Sequence, residues 1–110
     1  MESSRSYGGE FEAMTYAKRT DANQPAIVKA LRKEGYKVYL THRVGFGFPD
    51  LLCVSKSHIA VLLEVKDGDE GLNENEQIFF EKYPGPHRVV CSPEQALLTM
   101  EIYDGMELWG

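Results

Sequence analysis

Two cysteines among 110 residues, with no cluster of cysteine or histidine beside them, exclude a disulfide framework and a structural zinc site. Cys53 (LLCV) and Cys91 (VVCS) read instead as small buried hydrophobes. Long hydrophobic runs are absent too. The longest, Ile59 to Leu63, is far too short to cross a bilayer, so no membrane partner is expected. The opening MESSRSYGGEFEAM has no apolar stretch of the secretory type, and a cytoplasmic location is the expectation. A basic excess is also lacking: Lys and Arg number 12 against 17 Asp and Glu, a net charge of -5. Nucleic-acid binders draw much of their affinity from phosphate neutralisation, so this balance weighs against that class. It does not exclude it, because clustered catalytic acids supply part of the negative charge and a bound divalent cation reverses the local field.

What remains is an ordinary globular composition, 43% hydrophobic and 26% charged, at a length that supports one core. Residues 1–19 open Ser/Gly-rich and show no period, and are expected to be a loose tail before a domain over 20–110. From Pro25 to Glu34 the spacing of Ile27, Ala30 and Leu31 predicts a helix, with Asn23 as its N-cap and Gly35 as its stop. Tyr36 to Thr41 reads as a strand, followed by the glycine-punctuated loop VGFGFPD. Leu51 to Val54 and Ile59 to Val65 are apolar runs joined by SKSH, a hairpin with both faces expected to be covered. Asn73 caps a helix to about Tyr83, with Ile78 and Phe79 on its apolar side. A strand over His87 to Cys91 and a helix from Ser92 through Met100 follow, with Tyr103 to Trp109 as a last short strand or tail. The expected class is α/β, a small mixed sheet flanked by helices.

Charge stands at the ends of these apolar strands. Asp50 opens one, directly after Pro49; Glu64 and Lys66 close the other. Alternate residues of a strand share a face, so Glu64 and Lys66 point together and Val65 points away. A hairpin turning near Lys56 and Ser57 sets the start of its first strand beside the end of its second, which brings Asp50 to Glu64. Two adjacent carboxylates repel, and burial raises the cost of ionising both. A divalent cation with oxygen ligands resolves that conflict, and Mg²⁺ binds through one or two carboxylates plus waters and phosphate. Either motif alone is better explained as a solvated strand end or a weak surface ion pair; together and in this order they point to function.

At these residues the chain resembles the virus-type replication-repair nuclease (VRR-NUC) branch of the PD-(D/E)xK superfamily. The matching motifs are Gly47-Phe48-Pro49-Asp50, then Glu64-Val65-Lys66, then a helix bearing Glu76-Gln77, with DANQPAIVKALRKEG as the first helix. The resemblance implies a restriction-endonuclease-like α-β-β-β-α-β core and a catalytic set of Asp50, Glu64 and Lys66. It implies Mg²⁺, replaceable by Mn²⁺, held by Asp50, Glu64 and the Val65 backbone carbonyl. Gln77 or Glu76 would support the lysine or a water, the register being open by one. It further implies branched or structured DNA as substrate, a homodimer, and a phage or prophage source. One position departs from the pattern: Gln24 stands where the family commonly places a metal-binding glutamate. It is either a weak ligand or a plain polar residue of the first turn, with Asp21 the nearest carboxylate.

Arg43, His42 and Gly47 of the glycine loop are the candidate DNA contacts, Arg43 first because guanidinium suits phosphate. For His42 a structural histidine is the commoner case, and ordinary turn chemistry accounts for Gly47. Lys18 and Arg19 could add a phosphate contact, and a solvated pair is the default there. A dimer would double the sparse positive charge, with Phe79-Phe80 and Trp109 as the expected contact surface. Two other classes compete with an endonuclease: a DNA-structure-binding or adaptor protein that keeps the fold but is catalytically impaired, and an acidic accessory protein that binds a host protein.

Overall fold

The computed structural model describes residues 23–106. The expected tail, Lys18, Arg19, Asp21 and Trp109 lie outside them. The elements run α1 (Gln24–Lys33), β1 (Lys37–Leu40), β2 (Leu51–Val54), β3 (Ala60–Val65), α2 (Glu74–Lys82), β4 (His87–Val90) and α3 (Pro93–Asp104). The four strands form one sheet in the order β1-β2-β3-β4. β1 with β2 and β2 with β3 are antiparallel, and β3 with β4 is parallel, as a strand–helix–strand crossover through α2 requires. This is the α/β arrangement expected, a mixed sheet between helices.

The register sorts the strand residues into two faces. Val38, Leu51, Cys53, Val61, Leu63, Val65 and Val90 join Ile27, Val28 and Leu31 of α1 and Ala96 and Met100 of α3 in one buried core. The opposite face carries Leu52 paired with Leu62, and Leu62 beside His87. There α2 and the turn after it supply the cover: Phe80 meets the His87 ring edge-on at 4.6 Å, and Tyr83 stacks on Phe79 at 5.0 Å. Covering on both faces is complete for β3, buried from Val61 to Val65. β2 instead alternates buried and half-buried, so its second face is only partly covered.

Local chemistry explains most boundaries and three departures from expectation. Gly35, at φ 94°, closes α1 in the left-handed region where glycine is favoured. Asn23 precedes α1 but does not cap it: its amide donates to the Lys66 carbonyl at 2.9 Å and to the Cys91 carbonyl at 2.7 Å. That amide ties the start of α1 to the ends of β3 and β4. α3 continues past Met100 to Asp104, and takes Tyr103 with it, because both residues have packing to reach. Tyr103 packs against the core, and the Asp104 carboxylate accepts from the Tyr36 hydroxyl and the Lys56 amide, each at 2.6 Å. On α2 the apolar side is Phe79 and Phe80; Ile78 is exposed, since the first turn is oriented by Glu76 turning inward. Cys53 is fully buried and Cys91 only partly so. Among the described residues no helix is long and apolar enough to cross a membrane.

Candidate functional site

The hairpin brings Asp50 and Glu64 together. The antiparallel register pairs Leu51 with Leu63, so one step outward Asp50 faces Glu64 on the side of the sheet away from α1 and α3. The Asp50 carboxylate accepts a hydrogen bond from the Val65 amide at 3.0 Å, which closes the ladder where the backbone of the loop turns away. Above it the loop is pinned by the Thr41 hydroxyl, which donates to the Pro49 carbonyl at 2.8 Å. Asp50, Glu64 and Lys66 are all buried, Glu64 completely. Val65 points into the main core, as alternation requires, and only its backbone is available at the site.

Lys66 sits among three carboxylates. Its ammonium lies 2.9 Å from Glu76, 3.5 Å from Glu64 and 3.9 Å from the more exposed Glu70. Burial alone would lower the lysine pKa, but the hydrogen bond to Glu76 and the charges of Glu76, Glu64 and Glu70 outweigh it and raise it. Lys66 is therefore an ammonium across the neutral range. Burial would likewise raise the Glu76 carboxyl; the bond from Lys66, the Asn73 amide and a side-chain hydrogen bond with Glu64 hold it below the ordinary glutamate range. Buried charges persist only when paired and hydrogen-bonded in this way.

Glu76 is placed by the helix it begins. Asn73 and Glu76 form a reciprocal capping box, each side chain accepting from the other's backbone amide at 2.9 Å. The same Glu76 oxygen receives Lys66. This settles the register left open in the sequence: Glu76 holds the lysine, while Gln77 is exposed and donates to the Leu72 carbonyl at 3.1 Å. Gln77 is not brought to the lysine, because adjacent helix positions point about 100° apart and Glu76 is the one that faces the sheet. The sequence carries a further signal for Glu76 in Asn73-x-x-Glu76, a cap pattern that fixes which side of α2 turns inward.

The remaining candidates spread along one edge. Gln24 is the first residue of α1 and is buried. With Pro25, Val28, Leu40 and His42 it lines a cleft of about 760 Å³ between α1 and the edge strand β1. Lys29, Arg32 and Lys33 add positive charge to that cleft. His42 is half-buried, and its Nδ1 has no hydrogen-bond partner among the described residues. Arg43 is exposed beside it. At Gly47 the close neighbour is protein: a side chain there would run into the Asn75 carbonyl and the backbone leading to Glu76. In the sequence Asn23 reads only as a helix cap and Glu70 carries no signal at all; neither an amide donor nor a surface glutamate shows locally what it meets across the fold.

A parallel–antiparallel sheet with helices on both faces, and a buried acid pair with a lysine where its central hairpin opens, define a restriction-endonuclease-like domain. Among solved structures, a chain described as a VRR_NUC domain matches with a TM-score of 0.56 and 26% identity, over 73% of this chain and 91% of that one. No family model matches the chain, and neither does any curated protein. The fold is thus of the VRR-NUC nuclease type, and the resemblance carried by GFGFPD and EVK is borne out.

Proposed function

We propose that this protein is a divalent-metal-dependent endonuclease that hydrolyses phosphodiester bonds in branched or structured DNA. The observation that carries the reading is the meeting of Asp50, Glu64 and Lys66 on one buried patch of a nuclease-type fold. Among the described residues no three Asp, Glu, His or Cys side chains form a metal cage by themselves. Mg²⁺ does not need one, since it keeps several waters and takes one or two carboxylates together with substrate phosphate. Asp50, Glu64 and the Val65 carbonyl, all hard oxygen donors, fit that habit, and Mn²⁺ would fit the same set. The ion, when bound, supplies positive charge to the phosphoryl oxygens during in-line attack. Lys66 brings a fixed ammonium to the same place, and Glu76 keeps it charged and aimed. Arg43 and His42 are the nearest loop candidates for phosphate contact on the flank.

Incubation of the full chain with flap, duplex, single-stranded and four-way DNA in Mg²⁺ or Mn²⁺ tests this directly. Cleavage that needs the ion and disappears in Glu64→Gln is expected; no cleavage of any of these substrates would sink the proposal. A second reading, a catalytically impaired DNA-binding or adaptor protein, is favoured by Gln24, which is uncharged where a third acidic ligand would help. A large gain in ion-dependent cleavage on Gln24→Glu would support it. We further propose a homodimer, since doubling the few cationic residues increases the number of phosphate contacts. Phe79 and Phe80 are engaged within the chain, so the exposed Leu98, Ile102 and Met106 of α3 and its end make the stronger contact candidates.

A further inference from the structure

The loop between β1 and β2 holds three successive residues in the left-handed region: Gly45 at φ 78°, Phe46 at 55° and Gly47 at 83°. Glycine adopts that conformation freely, whereas phenylalanine does so under strain. Its ring gains nothing inside the protein in return, since Phe46 is 94% exposed. Yet the loop is firmly held. The Phe48 amide donates to the Gly45 carbonyl at 3.0 Å, the Val44 amide to the Thr41 carbonyl at 3.0 Å, and Gly47 is seated against the Asn75 backbone. Phe48 packs edge-on against Phe79 at 5.3 Å. The strained, projecting ring therefore stands on a rigid mount, four residues before Asp50 and against the turn of α2 that presents Glu76 to Lys66.

Between this ring and α2 lies a cleft of about 350 Å³, walled by Phe46, Ile78, Phe79 and Tyr83 with Lys82 and Asn75 on it. Its volume is in the range of small-ligand sites, about 300–1,000 Å³. We infer that Phe46 and this cleft, on the loop that leads to Asp50 and the helix that carries Glu76, receive an unpaired nucleobase of the DNA substrate. The inference rests on the endonuclease reading and names the feature of the substrate that the site selects. A cleft walled by Phe46, Ile78 and the stacked Phe79 and Tyr83 rings offers apolar and aromatic surface to a base, which stacks on aromatic side chains with little regard to sequence. Lys82 at the same slot suits the phosphate that follows the base. A paired duplex offers no free base face at its side, so the slot selects flaps and single strands over closed duplex.

Fluorescence anisotropy with the full chain, in calcium buffer at low ionic strength, tests the inference using labelled oligothymidylate and a blunt duplex of equal length. The wild type is expected to prefer the single strand. Phe46→Ala is expected to reduce that preference about tenfold or more, and Phe46→Tyr to restore it. The melting temperature of Phe46→Ala should stay at or above that of wild type, because the ring makes no core contact. Equal loss on both DNAs, no loss on either, or no preference in the wild type would each overturn the inference. Ion-dependent cleavage lost in Glu64→Gln would still stand in those cases, so the two readings fail separately. A wild type that neither binds nor cuts any DNA overturns both.

Discussion

Replacing Glu76 by glutamine isolates the charge of the residue that organises the site. The amide is nearly the same shape, so its oxygen can still accept from Asn73 and Lys66, both now at 2.9 Å. What changes is the kind of bond. A hydrogen bond to a charged group contributes roughly 1.5–3 kcal/mol, and a neutral one roughly 0.5–1.5 kcal/mol. The expected loss for Glu76→Gln is the difference, about 1–1.5 kcal/mol. A domain of this size shifts by roughly 4–8 °C per kcal/mol, so melting should fall by roughly 4–12 °C. Glu76→Ala removes the cap as well and strands Lys66 in a buried setting, which costs roughly 3–5 kcal/mol. Glu64→Gln should behave differently. Glu64 lies 3.5 Å from Lys66, beyond a good hydrogen bond, and its hydrogen bond with Glu76 is one that a glutamine amide can also donate, so neutralising it leaves the Lys66–Glu76 bond intact. Its melting point in metal-free buffer should stay close to that of wild type. Thermal unfolding followed by circular dichroism for the three variants decides the matter. A Glu76→Gln protein as stable as wild type, or a Glu64→Gln protein that loses as much as Glu76→Gln, would refute the assignment of Glu76 as the lysine's main partner.

Three further outcomes follow from the same geometry. Gly47→Ala adds a left-handed alanine, roughly 1–2 kcal/mol, to a collision with the Asn75 backbone, so urea unfolding should show a loss of about 2 kcal/mol or more. Gly45→Ala, with nothing within 4 Å of the added carbon, should lose only the conformational part; equal losses would remove the role given to the α2 contact. Because the folded Glu76 carboxyl is held below its ordinary range, the unfolded chain binds the extra proton as the medium is acidified. Its contribution is complete above the unfolded glutamate value, about 4.3, and drains away below it; Glu76→Gln should flatten that acid limb in a pH series of unfolding free energies. Burial first, then the Asp104 charge, push the Cys53 thiol up to about 12. Thiol reagent at pH 8 should therefore spare Cys53 in the native protein and reach it only on unfolding, and rapid native labelling of Cys53 would contradict its place in the core.

Element type and order were legible in the sequence because apolar spacing and punctuation agreed. Pro25 and Gly35 bracket α1, Asn73 opens α2, and Ser92-Pro93 opens α3, each by a local rule that the fold does not override. The misread boundaries belong to residues whose partners are distant in the chain. Asn23 reads as a cap until the Lys66 and Cys91 carbonyls, 43 and 68 positions away, claim its amide. Asp104 reads as tail until Tyr36 and Lys56 are brought to it. No period in the sequence encodes such encounters, and they lengthen or re-anchor an element without changing its type.

The meeting of the site residues was legible for a different reason. A hairpin is itself a local rule, and once Leu51–Val54 pairs with Ala60–Val65 the register delivers Asp50 to Glu64 without further information. Glu76 could not be assigned that way, since it arrives by the parallel crossover, where the rotation of α2 about its axis decides which of two adjacent side chains faces the sheet. The capping box fixes that rotation: Asn73 binds the Glu76 backbone, the Glu76 carboxylate turns back to Asn73, and the same oxygen is left facing Lys66. A helix cap and the charge state of the buried lysine are thereby one interaction. The first turn of α2 also bears the Asn75 carbonyl that receives Gly47, so the loop carrying Phe46 and Asp50 is seated on the element that holds Lys66. Loosening Asn73 should therefore disturb the lysine and the loop together, although Asn73 itself is exposed and lies outside the acid–lysine cluster.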